Sequence, residues 1–455
     1  MSVAASGAGG AAAAAAAGEA VTVDGLTHEG EGVVHAGKTV FVAGALPGER
    51  IRMRRTRRHR QHDDGELLEV LEPSPVRVIP RCAHFGVCGG CLLQHLSPAA
   101  QLAVKEQELR DTLERVAKVT PGRWLAPLAG PAWGYRRRAR LGAKFVRKKD
   151  RVVVGFRERA APYVAQLANC EVLQKPAGDL IAPLAQVLTG LTIREHVPQI
   201  EVAVADNATA LVLRVLKTPA DADLERLVAF AAAHAVRLYL QPGGLDSVRP
   251  LGPAGEPLHY RLPRFDLELQ FEPTDFVQVN GAVNEALVAR ALELLEPGAS
   301  SRVLDLFCGL GNFSLALARH AAHVTGVEGE GALIERARGN AQRNGIGNTE
   351  FHAGNLAVAP TSDSCPWLRH SYSHVLLDPP RTGAREVLAA VAALAPRRVL
   401  YISCHPGSLA RDLGVLVHEH GFTLDAAGVV DMFPHTAHVE SLALLSGAAR
   451  TAPRA

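Results

Sequence analysis

With 455 residues, 47% of them hydrophobic and 21% charged, the chain is too long for one ordinary core and has the balance of a soluble globular protein, so two or three domains are expected. The net charge of +3 excludes a strongly acidic or basic character overall, yet arginines gather in RMRRTRRHR (Arg52 to Arg60) and GYRRRAR (Gly134 to Arg140), a distribution that points to a polyanion partner. An uncharged apolar run long enough to cross a bilayer and an export signal are both missing, so a cytoplasmic protein with no membrane and no obligate protein partner is expected.

Residues 1–20 form an alanine- and glycine-rich, low-complexity stretch expected to be a disordered tail. From 21 to 76 come the alternating runs VTVDGL, GVVHAG, KTVFVAG, ERIRMRR and GELLEVLE, broken by Gly, Pro and Asp. Five short strands in that length predict a small closed barrel of the oligonucleotide-binding kind, with a β-hairpin module lacking any ligand as the alternative.

A central α+β domain is expected over 77–270. It opens with RCAHFGVCGGCLLQH (Arg81 to His95), three of the chain's seven cysteines within ten residues. In a reducing compartment such thiols bind metal or do chemistry. The spacing Cys82-x5-Cys88-x2-Cys91 fits neither a zinc ribbon of two C-x2-C knuckles nor the usual ferredoxin run, and a fourth thiol is available at Cys170 in QLANCEVL. Four thiolates also suit zinc. A helical pattern over Pro98 to Val119 follows, then strands (RARLGAKFV, RVVVGFR, QIEVAVA, TALVLRVLK, AVRLYLQ, LHYRL) mixed with helices near Ala177 to Thr189 and Asp221 to Ala235.

Over 271–455 strands alternate with helices: RVLDLF then FSLALARHA, HVTGVE then ALIERARGNAQRNG, HVLLDPP then REVLAAVAALA, RVLYISC then LARDLGVLVHEHG. This pattern predicts an α/β, Rossmann-like parallel sheet whose ligands lie at the carboxyl ends of the strands. Those ends carry DLFCGLGNFS, GVEGE, GN, DPPR and SCHPGSLARD. Gly309 and Gly311 let backbone approach a ligand, but no Gly-Lys-Ser/Thr follows, which rules out a phosphate loop, and Ser314 stands where a dinucleotide fingerprint has its third glycine. Glu328, 17 positions after Gly311, is placed to accept the ribose hydroxyls of an adenosine-bearing cofactor. Asp378 heads DPP, whose prolines fix an extended turn suited to holding a flat heteroaromatic ring. Cys404 ends a strand on the same rim, where the alternative is an inert thiol. Glu440 sits in HTAHVESLALL, an apolar strand with little other use for a carboxylate, and His435 and His438 nearby are read as making polar contacts.

At these residues the sequence resembles the S-adenosylmethionine-dependent RNA uracil-C5 methyltransferases, specifically the type acting on 23S ribosomal RNA. The resemblance runs from about Val21 to Leu445 and rests on DFVQVN (Asp275 to Asn280), DLFCGLGNFSL, LLDPPRTGA, YISCHPGSLARDL and DMFPHTAHVESLALL, in the family's order. It implies that Cys404 is the nucleophile that adds to uracil C6, cysteine being suited because its sulfur is nucleophilic and its pKa is readily lowered by a local positive field, and that Glu440 is the base for the C5 proton. It further implies S-adenosylmethionine bound by Gln278, Phe307, Asn312, Glu328, Asn355 and Asp378, and a [4Fe-4S] cluster on Cys82, Cys88, Cys91 and Cys170, leaving Cys308 and Cys365 as spare thiols. The 21–76 barrel resembles the TRAM domain, an RNA-binding module whose basic strand Arg52 to Arg60 contacts phosphates. His405 departs from the family, which usually has Asn after the cysteine. Two rival readings are a tRNA uracil-C5 methyltransferase, which resembles only the rest of the chain, and a non-enzymatic iron-sulfur RNA-binding protein, which intact Cys404 and Glu440 argue against.

Overall fold

The computed structural model describes residues 18–27, 29–159, 161–253 and 255–447. The tail expected over 1–20 lies almost wholly outside them, and its last two residues, Glu19 and Ala20, already belong to a strand. The chain divides into two compact units, one taking the described residues up to Ala103 with Glu158–Ala161 and His435–Ala437, the other taking the rest. Among the described residues no helix is long and apolar enough to cross a membrane.

In the first unit six strands make one sheet, ordered Glu19–Thr22, Arg50–Arg58, Asp63–Glu72, Lys38–Ala43, Glu31–Ala36 and Gly25–Leu26. The run VTVDGL breaks in two at Val23 and Asp24, which gives six strands where the alternation suggested five. The halves form opposite edges of the sheet, and a two-residue link reaches only about 10 Å, so the sheet must curl until its edges approach, in the manner of a barrel. Inward alternation supplies the core: Val23, Val34, Val40, Val42, Ala45, Ile51 and Met53. The cysteine stretch is irregular; the Cys82 amide donates to Gln94 Oε1 at 3.2 Å, and Gly90 N–H lies 3.4 Å from Cys88 Sγ. His435 donates its backbone N–H to Gln101 Oε1 at 2.9 Å and lies 3.2 Å from Gln101 Nε2 through Nδ1, the polar contacts expected of it.

The second unit holds two sheets and a hairpin. One sheet is ordered Arg249–Leu251, Val236–Gln241, Thr209–Arg214, Gln199–Val204, Arg138–Val146 and Arg151–Gly155, with helix Asp221–His234 making the single parallel crossover. The hairpin pairs Leu258–Leu262 with Leu267–Phe271. The other sheet has eight strands: Thr349–Ala353, His323–Glu328, Arg302–Leu306, His374–Leu377, Arg398–Ser403, Glu440–Ser446, Thr423–Val430 and Arg123–Trp124. Its first five are parallel, and apart from the edge strand Thr349–Ala353 their mainly apolar runs reflect burial of both faces. On one face Leu304, Leu306, Val375, Val399 and Tyr401 share a core with Val387 and Val391 of helix Arg385–Ala393 and with Leu409, Leu413 and Leu416 of helix Pro406–His418. Each such side chain contributes about 1.5–3 kcal/mol on burial. The helix expected over FSLALARHA is short, Ser314–Ala318. Strand order reverses between Arg302–Leu306 and His374–Leu377, the switch point where strand ends part to admit a ligand.

Candidate active site

Just past Arg302–Leu306 the chain turns sharply, with Phe307 at φ 66°, Gly309 at 55° and Gly311 at 96°. A left-handed aromatic residue is costly, so the turn must be held by its surroundings. It is: the amides of Phe307 and Cys308 both donate to Val327 O at 2.8 and 3.1 Å, and Gly309 N–H donates to Glu328 Oε2 at 3.2 Å. Glu328 Oε1 also accepts from Gly329 and Glu330 N–H at 2.6 and 3.2 Å, so one half-buried carboxylate ties two neighbouring strand ends together. A Cβ at Gly309 would meet no heavy atom within 4 Å, so the turn is open at this point.

Asn312 follows this turn, but its amide is engaged by protein. Its Oδ1 accepts from Tyr260 Oη and from Asn284 Nδ2, and its Nδ2 donates to Asn284 Oδ1, all at 2.9 Å. Tyr260 and Asn284 are buried, and neither stands out in the sequence, because nothing local marks a partner 52 or 28 positions away. Asn355, exposed, accepts from Ala357 N–H at 2.9 Å in a tight turn. Gln278 is half-buried in the DFVQVN segment. That segment is fixed by Asp275, which pairs with Arg336 at 2.6 Å and accepts from Glu272 N–H at 2.7 Å. Cys308 is buried, and burial pushes its thiol well up from the ordinary value, as befits an inert packing group.

Asp378 follows strand His374–Leu377 and donates its amide to Leu306 O at 3.3 Å. The loop beyond it is pinned by Asp412, fully buried on helix Pro406–His418. Asp412 Oδ2 accepts from Ala384 N–H at 2.7 Å and Tyr401 Oη at 2.6 Å, Oδ1 accepts from Arg411 Nε at 2.8 Å, and Arg411 Nη2 reaches Thr382 O at 2.8 Å. Gly383 has φ 84°, and a side chain there would come within 2.5 Å of both Arg411 and Asp412.

Cys404 leaves strand Arg398–Ser403 on the same rim. The antiparallel strand Glu440–Ser446 delivers its first residue there, because Ser403 pairs with Ser441 and Val430 with Glu440. Parallel strands expose carboxyl ends at this rim, so only an antiparallel neighbour can bring a strand start to it. Burial pushes the Glu440 carboxyl up to about 7. Burial, then the charge of Glu440, hold Asp378 well above the carboxylate range. The Cys404 thiol is pushed up to about 11 by burial and then by the charges of Glu440 and Asp378, with Arg381 opposing. Arg381 thus acts to lower the thiol pKa, while burial, Glu440 and Asp378 act to raise it. Asp305, fully buried beneath them with Ser314 Oγ 2.5 Å from its Oδ2, is likewise raised, to about 7, by its own burial first.

His405 caps the helix that follows it. Its Nδ1 accepts from Ser408 N–H at 3.1 Å and caps helix Pro406–His418, which an Asn side chain would do through its oxygen.

The cysteines divide between the units. Cys82, Cys88 and Cys91 lie in the first and Cys170 in the second, all half-buried, with Cys170 N–H donating to Gly178 O at 2.9 Å. The expected phosphate-binding strand is largely paired with its own neighbours: Arg50 with Glu72 at 3.2 Å, Arg52 with Glu69 at 3.3 Å, Arg54 with Glu66 at 2.5 Å, and Arg55 with Glu19 and Asp63 at 2.9 and 3.1 Å. Arg57, Arg58 and Arg60 are exposed and have no acidic partner among the described residues.

Residues 264–448 match the family model described as tRNA (Uracil-5-)-methyltransferase. Over 428 residues the chain is 49% identical to a 23S rRNA (uracil(1939)-C(5))-methyltransferase RlmD of Xanthomonas euvesicatoria, covering 93% of this chain and 96% of that one. A protein of the same name from Alkalilimnicola ehrlichii is 50% identical, covering 93% and 95%. The solved structure of a Pyrococcus abyssi tRNA (uracil-54, C5)-methyltransferase with S-adenosyl-L-homocysteine has the same fold, with a TM-score of 0.72 at 22% identity, covering 94% of this chain and all of that one.

Proposed function

The chain belongs to the family of S-adenosylmethionine-dependent 23S rRNA (uracil-C5)-methyltransferases, and from that premise we propose how its own residues carry out the methylation of a uridine in 23S rRNA. Cys404 Sγ, its proton released to solvent, adds as the thiolate to C6 of the target uracil, which turns C5 into a nucleophilic carbon. C5 takes the methyl group as S-adenosylhomocysteine departs, Glu440 then takes the C5 proton, and the electron pair left behind re-forms the C5–C6 double bond as the C6–S bond breaks and the thiolate leaves, to regain a proton from solvent. The observation that carries these roles is the ladder register that brings Cys404 and Glu440 to adjoining strand ends. A target base stacked in folded RNA has to turn out of its stack to reach them.

The open turn at Gly309 and the carboxylate of Glu328 fit a bound S-adenosylmethionine, which supplies the methyl group. Gln278, Phe307, Asn355 and Asp378 line that binding with Glu328, whereas Asn312 serves by holding the turn through Tyr260 and Asn284. The carboxyls of Asp378 and Glu440 are held toward their neutral forms, and a cationic donor beside them would favour their ionised forms.

Residues 21–76 act as a TRAM domain that positions the RNA, 77–270 as a central domain, and 271–455 as the catalytic domain. By the chemistry of their donors alone, the thiols of Cys82, Cys88, Cys91 and Cys170 are a set suited to a [4Fe-4S] cluster. Incubating the full chain with labelled methyl donor and either unmodified 23S rRNA or tRNA tests the reading. Label in 23S rRNA is expected; label in tRNA alone, or in neither, overturns it.

A further inference from the structure

The turn between strands Arg50–Arg58 and Asp63–Glu72 carries His59 and His62, and Asp64 follows on the second strand. The turn is closed by its own backbone, with His59 N–H donating to His62 O at 3.0 Å, while the Lys38 ammonium donates to His59 O. The two imidazoles stack with centroids 4.4 Å apart, and the ring of Phe41 lies 4.9 Å from that of His62. Both rings turn a nitrogen toward one carboxylate: His59 Nε2 is 3.0 Å from Asp64 Oδ2, and His62 Nε2 is 3.8 Å from Asp64 Oδ1. One ligand atom from each of the three residues lies within 4.8 Å of the other two. The side chains are 31%, 35% and 43% exposed, so an ion can reach them from solvent.

Two donors each about 2.0–2.1 Å from a metal stand roughly 3 Å apart at ordinary coordination angles; the His59–Asp64 separation of 3.0 Å already matches this, and the His62 ring, 3.8 Å from Asp64, has to swing inward to complete the set. We propose that His59, His62 and Asp64 form a divalent transition-metal site at this turn, with water completing the coordination. Two imidazoles and a carboxylate suit Zn²⁺, Co²⁺ or Ni²⁺. The exposed Arg57, Arg58 and Arg60 repel any cation, so the site favours ions that gain from bonding to imidazole nitrogen over Mg²⁺ and Ca²⁺, which seek oxygen. A bound ion would add positive charge beside those three arginines.

The test titrates the full chain with Co²⁺, followed by visible absorption, and with Zn²⁺ by calorimetry. Wild type is expected to take up one more equivalent than the His59→Ala/His62→Ala variant. The difference spectrum should show ligand-field bands without sulfur-to-cobalt charge transfer, which separates this site from the thiols. Asp64→Asn should weaken that equivalent at least tenfold, and His35→Ala, elsewhere on the sheet, should leave it unchanged. His62→Gln, which keeps a polar side chain on the turn, should lose the equivalent with no change in thermal unfolding measured without metal. Equal stoichiometry and affinity in wild type and the double variant, or a charge-transfer band in the difference spectrum, would overturn the proposal.

Discussion

Glu440 opens its strand one residue before Ser441, the ladder partner of Ser403, and Cys404 is the residue that follows Ser403, so the carboxylate and the thiol adjoin at the end of a single antiparallel pair. The pairing has an electrostatic cost that is legible in both groups. Burial raises each, and the charge of Glu440 is the second influence holding the Cys404 proton in place.

Replacing the carboxylate should therefore separate nucleophile from base. In Glu440→Gln the charge that disfavours the thiolate is gone, so at fixed pH Cys404 should react severalfold faster with a small alkylating reagent, scored by peptide mass spectrometry. Turnover should nevertheless fall by about 10²–10⁴-fold, the usual worth of a positioned base, with a methylated RNA–protein adduct accumulating. Cys404→Ala, in contrast, should give no covalent complex with 5-fluorouridine RNA. Turnover near wild type in Glu440→Gln would remove Glu440 from the role of base.

The same carboxyl makes stability depend on pH in a definite direction. Its pKa rises from 4.5 in the unfolded chain to about 7 in the folded one, so its favourable contribution is complete below 4.5 and is lost as pH rises through 7. Above 7 the fold carries a buried charge. Glu440→Gln should then be more stable than wild type at pH 8, by at most on the order of 3 kcal/mol, and the difference should vanish near pH 4.5. Denaturant unfolding at the two pH values measures it. A gain at pH 4.5 that disappears at pH 8 would reverse the assignment.

Asp412 offers a test of positioning by a residue that does not touch the reacting atoms. It satisfies Ala384 N–H, Tyr401 Oη and Arg411 at once, and through them fixes the loop that begins at Asp378 and contains Arg381. Asp412→Ala leaves buried donors without partners and should cost about 3 kcal/mol. Asp412→Asn, which keeps one carbonyl oxygen, should recover part of that. In both variants kcat should fall more than the affinity for RNA, because the loop and not the RNA-binding surface has lost its support; an unchanged kcat in a folded variant would free the loop from Asp412.

Four of the five parallel strands are legible in the sequence as short, mainly apolar runs that alternate with helices, whereas the edge strand Thr349–Ala353, with Thr, Glu and His among its five residues, has no such pattern. Glu440 is legible too, since a carboxylate in an apolar strand stands out against its neighbours. Asp412 carries no such mark: its value lies in partners drawn from a loop and a different strand, Ala384 and Tyr401, and no local pattern records them. Tyr260 and Asn284 are silent for the same reason, although they fix Asn312. His405 looks like a departure when judged by residue type, yet its Nδ1 supplies an acceptor to the helix end, as an Asn side-chain oxygen can. The electrostatic surroundings of Cys404 are silent in the sequence because they are set by side chains from two other strand ends, Asp378 with Arg381 and Glu440, neither of which adjoins the thiol in sequence.

The arginine run shows how pairing across strands divides a charge cluster that looks uniform in one dimension. Arg50, Arg52 and Arg54 alternate along their strand and meet Glu72, Glu69 and Glu66 on the strand opposite, so much of their field is spent within the sheet. Arg57, Arg58 and Arg60 lie beyond those glutamates, exposed at the turn. If this sheet holds RNA by its phosphates, the turn arginines should carry the binding. Each of Arg57→Ser, Arg58→Ser and Arg60→Ser should weaken RNA binding across sequences and lower the salt dependence of log K by roughly 0.7–0.9 for each phosphate that is no longer neutralised. Arg54→Ser should change the salt slope little, because Glu66 already engages that guanidinium and leaves it little charge to offer a phosphate. Affinity measured by fluorescence anisotropy over a salt series decides the matter: an equal loss of slope at Arg54 and Arg58 would mean that RNA displaces the cross-strand glutamates and that the whole strand, not its end, faces the phosphates.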